Sequence, residues 1–377
     1  MTKQHPIRYG ILGCGMMGQE HIRNIQLLDH AEITVLAEPN PDMLKKAQAL
    51  VPSARAVSDL DALLEGNDVD ALVVVTPNFQ HAEQLLGIMS RCTLPILIEK
   101  PICTHIDDVK KLSEAAANYP APIWVAMEYR YMPPITLLLS LIHGGEIGQR
   151  HLFSIREHRF PFLHKIDDWN RFNHKTGGTL VEKCCHFFDL MRLMTNANPV
   201  RVFASGNQAV NHRDEQYEGK TPDIIDNAMV TIEFDNHTRA SLELCMFAEG
   251  SRYQEEICVV GDKGKVECLV PGPGRFWPTD TLGDAPVPQV IVSPRDPKGP
   301  KVMDVPVDSA LLEAGDHNGS TFYQHQRFQR AIWGEQEVEV TLEDGLKAVV
   351  MGLAAQTSLT LHKVVTLSDD GLDFSLR

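Results

Sequence analysis

The feature that most constrains this chain is a spaced set of glycines near its start. In IRYGILGCGMMGQEHIRNI, Gly13, Gly15 and Gly18 form a GxGxxG pattern directly after an apolar run that reads as a strand, Arg8 to Leu12, and at the point where helical spacing begins. A strand that meets a helix through such a turn belongs to a βαβ unit of a dinucleotide-binding sheet. The first glycine permits the tight turn, the second lets a pyrophosphate approach the backbone, and the third lets helix and strand pack closely. The helix N-terminus then offers its amides to the phosphates, and Met16 and Met17 share that turn. An acidic residue is expected roughly twenty positions later to take the ribose hydroxyls, and Glu38 in VLAEPN stands there. Its carboxylate repels a 2′-phosphate, and no Arg or Lys follows it immediately, so NAD is expected rather than NADP.

The chain around this motif has the rhythm of an α/β domain. Strands are expected at Arg8 to Leu12, Ile33 to Ala37, Ala71 to Val75, Ile96 to Glu99 and Ile123 to Ala126, separated by helical spacing such as Met43 to Leu50 and Ala82 to Met89. After Met127 the rhythm changes. Leu152 to Arg156, Val200 to Ala204, Asn227 to Phe234, Ala240 to Phe247, Glu256 to Val260 and Lys265 to Leu269 read as successive strands with few helices between most of them. That pattern predicts an antiparallel sheet, hence an α+β second domain. We therefore expect a Rossmann domain over 1–127 and an α+β domain over 128–377, with the Pro- and Gly-rich stretch 271–305 as a long ordered loop or insertion.

Composition narrows the class of function. A length of 377 residues suits two cores, and 43% hydrophobic with 23% charged residues is ordinary for a folded globular chain. No stretch of some eighteen apolar residues is free of charge, and the N-terminus lacks a secretory apolar core, so a cytoplasmic protein with no membrane partner is expected. The eight cysteines are scattered without CxxC pairs, which suits a reduced compartment. A formal charge of −15 argues against a nucleic-acid partner. The adjacent Cys184 and Cys185 suggest neither a disulfide nor zinc, because neighbouring cysteines rarely bridge and the second pair a structural zinc site needs is missing; no metal is expected.

Further motifs follow in order: TPNFQH with Thr76, Pro77, Asn78 and His81; EKP with Glu99, Lys100 and Pro101; EYRY at 128–131; GGTLVEKCCHFFDLM at 177–191; GDKGKVE at 261–267; and EDGLKAVVMGLAAQTS at 343–358. In this order the chain resembles the Gfo/Idh/MocA family of NAD(P)-dependent oxidoreductases, which includes glucose-fructose oxidoreductase and inositol dehydrogenases. The resemblance implies a second domain built on a large, mostly antiparallel sheet whose open face often forms subunit contacts, hence a homodimer or homotetramer. It also implies an active site between the domains, with Thr76, Pro77, Asn78, His81, Glu99 and Lys100 joining the glycine turn around the cofactor.

Oxidising a secondary alcohol needs a base for the hydroxyl proton while hydride leaves carbon. Lys100, at the carboxyl end of a sheet strand, is the candidate to orient and polarise the hydroxyl, and the resemblance supports that role. If a helix starts after Thr179, then Glu182, His186 and Asp189 share one face. The family pattern there is Asp-x-x-x-His, with the histidine transferring the proton; here Glu182 replaces the aspartate. Two readings of Glu182 stay open, since Thr179 and Glu182 also have the spacing of a capping box. Arg130, Lys183, His317 and Tyr323 are further candidates to reach substrate. Trp169, in the polar segment 156–174 with Asp168, Asn170 and Arg171, is placed either against a sugar face or in the core. The function expected is an NAD-dependent dehydrogenase of a cyclic polyol or sugar. Its rivals are a glycosidase or lyase acting through transient oxidation, and an NAD-binding regulator without catalysis.

Overall fold

Short runs of aliphatic residues, buried on both faces, form the first sheet. In the computed structural model, which describes residues 5–376, strands β1 (Ile7–Leu12), β2 (Ala31–Ala37), β3 (Arg55–Val57), β4 (Ala71–Val74), β5 (Ile96–Ile98) and β6 (Ile123–Val125) are all parallel. Their order, β3-β2-β1-β4-β5-β6, reverses between β1 and β4, and ligands of such sheets bind at the carboxyl ends beside that reversal. Every residue of β4 and β5 is buried, as expected for strands covered by helices on both sides.

The second sheet has ten strands: β7 (Arg150–His158), β8 (Pro199–Asn207), β9 (Asn227–Phe234), β10 (Arg239–Cys245), β11 (Glu255–Gly261), β12 (Gly264–Val270), β13 (Gln289–Pro294), β14 (Lys301–Asp304), β15 (Val365–Leu367) and β16 (Phe374–Leu376). Only β7 and β10 pair in parallel; the other neighbours are antiparallel. Alternation is clear on β9, where Ala228, Val230, Ile232 and Phe234 are buried and Met229 and Thr231 are exposed. The stretch 271–305 is not simply a loop. It carries the antiparallel pair β13 and β14 on the edge of the sheet, with Val290 and Val292 facing the core. Among the described residues no helix is long and apolar enough to cross a membrane.

Late in the chain, two helices return to the first sheet. The helix Leu342–Leu361 packs on β6 and β8, and Ser320–Ile332 packs on the helix Met16–Ile25 that follows the glycine turn. A buried polar clamp ties the latter contact. Glu20, on Met16–Ile25, accepts hydrogen bonds from His317 Nδ1 at 2.7 Å and Thr321 Oγ1 at 2.9 Å. Burial alone would disfavour both charges, but the contact holds the Glu20 carboxyl at about 2 and raises His317 to about 9.

This clamp has a pH signature. The folded pKa of His317 lies above its ordinary 6.5, so its contribution is present below pH 6.5 and lost as pH rises through about 9. That of Glu20 is present above 4.5 and lost as pH falls towards about 2. The melting temperature is expected to drop between pH 6.5 and about 9 in the native chain, and to do so less in Glu20→Gln. Equal slopes in the two proteins would show that the clamp does not govern stability there.

Candidate active site

The glycine turn shows a division of labour among its three positions. Gly13 has φ +97°, and a Cβ on it would lie 2.6 Å from the carbonyl oxygen of Val75. A Cβ on Gly18 would lie 2.2 Å from the carbonyl oxygen of Gly13. Around Gly15, by contrast, no protein atom lies within 4 Å of the missing Cβ. The two outer glycines serve packing, and the middle one opens onto a cleft of about 1420 Å³. The helix N-terminus at Gly15 carries no side-chain cap and no acidic residue in its first turn, which leaves its amides available to a pyrophosphate. Met16 and Met17 line the same cleft.

Along the cleft, Glu38 is fixed by two amides: one carboxylate oxygen accepts from Cys14 N at 2.7 Å, the other from Asn40 N at 2.9 Å. Each oxygen keeps a lone pair for a ribose hydroxyl. Thr76, Pro77, Asn78 and His81 form the adjoining wall. Thr76 Oγ1 donates to Gln84 Oε1 at 2.5 Å, and the buried Asn78 Nδ2 has no protein acceptor, so it remains a donor for a ligand. His81 is a clamp as well, its ring nitrogens lying 2.7 Å from the Pro101 carbonyl and 2.8 Å from that of Thr76.

At the inner end of the cleft stand Glu99, Lys100, Lys165, Trp169 and Glu182. Glu99 is buried and pairs with His21 Nε2 at 2.9 Å, while its other oxygen accepts the Lys100 amide at 3.1 Å. Lys100 Nζ donates to the carbonyl of Glu182 at 3.2 Å. Burial opposes the Lys100 charge, but Cys185, Glu99, Glu128 and Glu182 around it raise its pKa, so it stays an ammonium and cannot serve as a base near neutrality. Glu182 Oε2 is buried without a partner, and burial pushes this carboxyl above its ordinary range.

His186 lies under this floor rather than on the cleft wall and is 2% exposed. Its ring stacks on Tyr129, with centroids 4.2 Å apart and planes 6° from parallel, and its Nε2 lies 3.6 Å from Glu128 Oε1. Nδ1 is buried without a partner. Burial first, then the charges of Lys100, Lys183 and His317, hold its pKa well below 6.5, so the imidazole is neutral and able to accept a proton. Burial also pushes the Glu128 carboxyl up to about 7.

Several expected positions turn out otherwise. There is no continuous helix after Thr179: one turn, Thr179–Glu182, ends at Lys183, and a second helix runs Cys185–Thr195. The capping box does not form, because Thr179 Oγ1 donates instead to the Ile225 carbonyl at 2.7 Å and Gly178 is the cap. The polar stripe is thereby divided, with Glu182 at the cleft, His186 beside Glu128, and Asp189 bound to Arg130. Arg130 does not reach the cleft; its Nε donates to Asp189 Oδ2 at 2.6 Å and its Nη1 to the Glu339 carbonyl at 2.8 Å. Lys183 is buried beneath the floor, with Nζ 2.8 Å from Glu157 Oε1 and donating to Tyr129 Oη at 2.5 Å. His317 belongs to the Glu20 clamp, and Tyr323 packs beside Phe322 against the core; neither lines the cleft. Trp169 does line it, packed edge-on to Phe79 at 6.1 Å. Nothing in the spacing of Lys165, in the segment 156–174, or of Glu128, in EYRY, marks the direction each faces.

A parallel sheet with a glycine cradle at its switch point, and a lysine and carboxylates at the inner end of the cleft with a neutral histidine buried beneath them, are the marks of a dinucleotide-dependent oxidoreductase. The chain belongs to the Gfo/Idh/MocA oxidoreductase family: residues 7–127 match its NAD-binding Rossmann fold and 140–367 its C-terminal alpha/beta domain. The chain is 23% identical over 363 residues to a myo-inositol 2-dehydrogenase of Thermotoga maritima, covering 96% of this chain and 99% of that one. It is 25% identical over 374 residues to an uncharacterised oxidoreductase of Bacillus subtilis, covering 97% and 98%. Among solved structures, a levoglucosan dehydrogenase in complex with NADH and levoglucosan superposes with a TM-score of 0.78 at 19% identity, covering 96% of this chain and 99% of that one. A myo-inositol dehydrogenase of Corynebacterium glutamicum gives 0.74 at 20%, with 96% and 99% covered. The protein is an oxidoreductase, and its cofactor is NAD.

Two outcomes follow from the glycines and from Arg130. Gly15→Leu is expected to keep the native melting temperature and lose NADH affinity by more than about tenfold, because the side chain enters only ligand space. Gly13→Ala and Gly18→Ala are expected to lower the melting temperature; an unstable Gly15→Leu would show that the space is not free. Arg130→Met leaves Asp189 buried and unpaired, so a loss of about 3–5 kcal/mol in stability is expected with NADH affinity unchanged. A change in substrate KM without destabilisation would instead return Arg130 to the site.

Proposed function

We propose that the protein is an NAD-dependent dehydrogenase that oxidises a secondary alcohol of a cyclic polyol or sugar. The observation that carries this reading is the inner end of the cleft: a fixed ammonium, Lys100, beside a carboxylate with a free oxygen, Glu182, above a neutral imidazole, His186. Lys100 donates to the substrate hydroxyl oxygen and stabilises negative charge developing there as the proton leaves. His186, buried beneath the floor, is the acceptor of that proton once substrate binding brings the two within hydrogen-bond reach, and Glu182 holds a neighbouring hydroxyl. The cleft lined by Gly15, Glu38, Thr76 and Asn78 would hold NAD, which would supply the hydride acceptor when bound. The names of the inositol and levoglucosan dehydrogenases favour a ring polyol or anhydrosugar as the substrate class. The same reading takes the open face of the ten-stranded sheet, where Leu152, Phe203 and Met229 are exposed, as the surface joining two or four subunits.

The test is NADH formation from NAD over inositols, aldoses, anhydrosugars and glycosides, with product analysis. Steady NADH formation is expected from at least one of them, and His186→Ala should lower kcat by about 10²–10⁴-fold while NADH affinity stays native. Retained turnover in the variant would remove His186 from proton transfer. Glycoside cleavage without net NADH would favour transient oxidation, and cofactor binding with no reaction at all would favour a regulator.

A further inference from the structure

We propose that Lys165 and Glu182 form a donor–acceptor pair that reads two neighbouring hydroxyls of the substrate, which makes Lys165 a specificity-determining residue. The inference rests on the dehydrogenase reading for the identity of the ligand, but not for the placement of the pair. Lys165 lines the inner end of the cleft together with Lys100, Trp169 and Glu182. Among the described residues its ammonium has no hydrogen bond and no ion pair, and it lies over the face of Trp169, 4.8 Å from the ring centroid. Glu182 is 4% exposed, and its Oε2 has no partner. Lys165 is the strongest of the cations acting on the Glu182 carboxylate, yet the two do not close into a salt bridge.

A lysine on a flexible stem beside a buried, unpaired carboxylate ordinarily collapses onto it. Here the segment bearing Lys165 is held in a bent conformation: Asp167 and Asp168 both lie in the left-handed region, at φ 54° and 44°. The bend is fastened by His164 Nδ1 to Asp168 Oδ1 at 2.8 Å and by Asn170 Nδ2 donating to the Leu163 carbonyl at 3.0 Å. Two opposite charges kept apart at a cleft wall suit a group that offers an acceptor to one and a donor to the other. Adjacent hydroxyls on a ring do this, the first accepting from Lys165 and the second donating to Glu182. Charge balance favours a neutral ligand over an acidic one, because two ammonium groups, Lys100 and Lys165, already face two carboxylates, Glu99 and Glu182. Burial also lowers the pKa of Lys165, and a hydroxyl oxygen accepts from an amine in either protonation state.

The test compares native protein, Lys165→Met and Lys165→Arg on myo-inositol, scyllo-inositol, D-glucose and D-xylose, and on monodeoxy derivatives of whichever are bound. Turnover is followed by NADH, and affinity for the protein–NADH complex by tryptophan fluorescence. Lys165→Met is expected to lower kcat/KM about 10- to 100-fold, mainly through KM, with partial recovery in Lys165→Arg and native NADH affinity. One monodeoxy derivative should lose the same factor with the native protein and nothing further in the variant. An equal additional loss for every derivative, an unchanged KM, or a parallel loss of NADH affinity would overturn the assignment, as would native protein that binds none of the four probes. Binding without oxidation, weakened in Lys165→Met, would overturn the dehydrogenase reading and leave the pair standing. Oxidation indifferent to Lys165→Met would do the reverse.

Discussion

Everything in this structure hangs on how closely the backbone after β1 passes the end of β4. With no side chain at Gly13 and Gly18, the turn sits against the Val75 carbonyl and the following helix against its own turn. The helix Met16–Ile25 is thereby fixed in direction, and direction is what makes it useful at both ends. Its N-terminus aims uncapped amides at the cleft. Its next turn carries Glu20 and His21, which meet His317 and His325 on the returning part of the chain, the latter pair at 2.7 Å. One close approach thus sets the cofactor cradle and fastens the second domain over it.

The inner end of the cleft shows how burial and neighbours sort similar groups into different tasks. Lys100 and His186 both lie where desolvation disfavours charge. Acidic neighbours outweigh it at Lys100, whereas cationic neighbours reinforce it at His186. The result is an ammonium at the cleft and a neutral imidazole beneath it, two protonation states set apart by their surroundings. Glu99 contributes from behind: held by His21, with its pKa lowered after burial by that imidazole, it supplies a fixed negative charge under Lys100.

What could be read beforehand divides along physical lines. Glycine spacing, the acid at Glu38 and the alternating burial of the strands are local signals, and they led to the Rossmann sheet, the NAD cradle and the antiparallel second sheet. Edge strands were missed where local signal is weak. β3 has three residues, none buried, and β13 and β14 lie in a Pro- and Gly-rich stretch whose pairing is set by β12 rather than by its own composition. At the site, Lys100 and Glu182 were legible from motif and strand end. The partners of Arg130, Lys183 and His317 lie far away in sequence, at Asp189, Glu157 and Glu20, and no local spacing reports them.

The break after Glu182 shows how distant packing can decide local chemistry. In an unbroken helix, Glu182 and His186 would stand one turn apart on the same face and compete for one position. The chain is instead broken here, where the turn packs against the helix Leu342–Leu361. Its Gly352 approaches so closely that a Cβ there would lie 2.7 Å from the Leu180 carbonyl, and its Gln356 fills the space beside Gly178. The turn Thr179–Glu182 ends at Lys183, and a second helix starts at Cys185. The carboxylate is left at the cleft wall and the imidazole is carried beneath the floor against Tyr129 and Glu128.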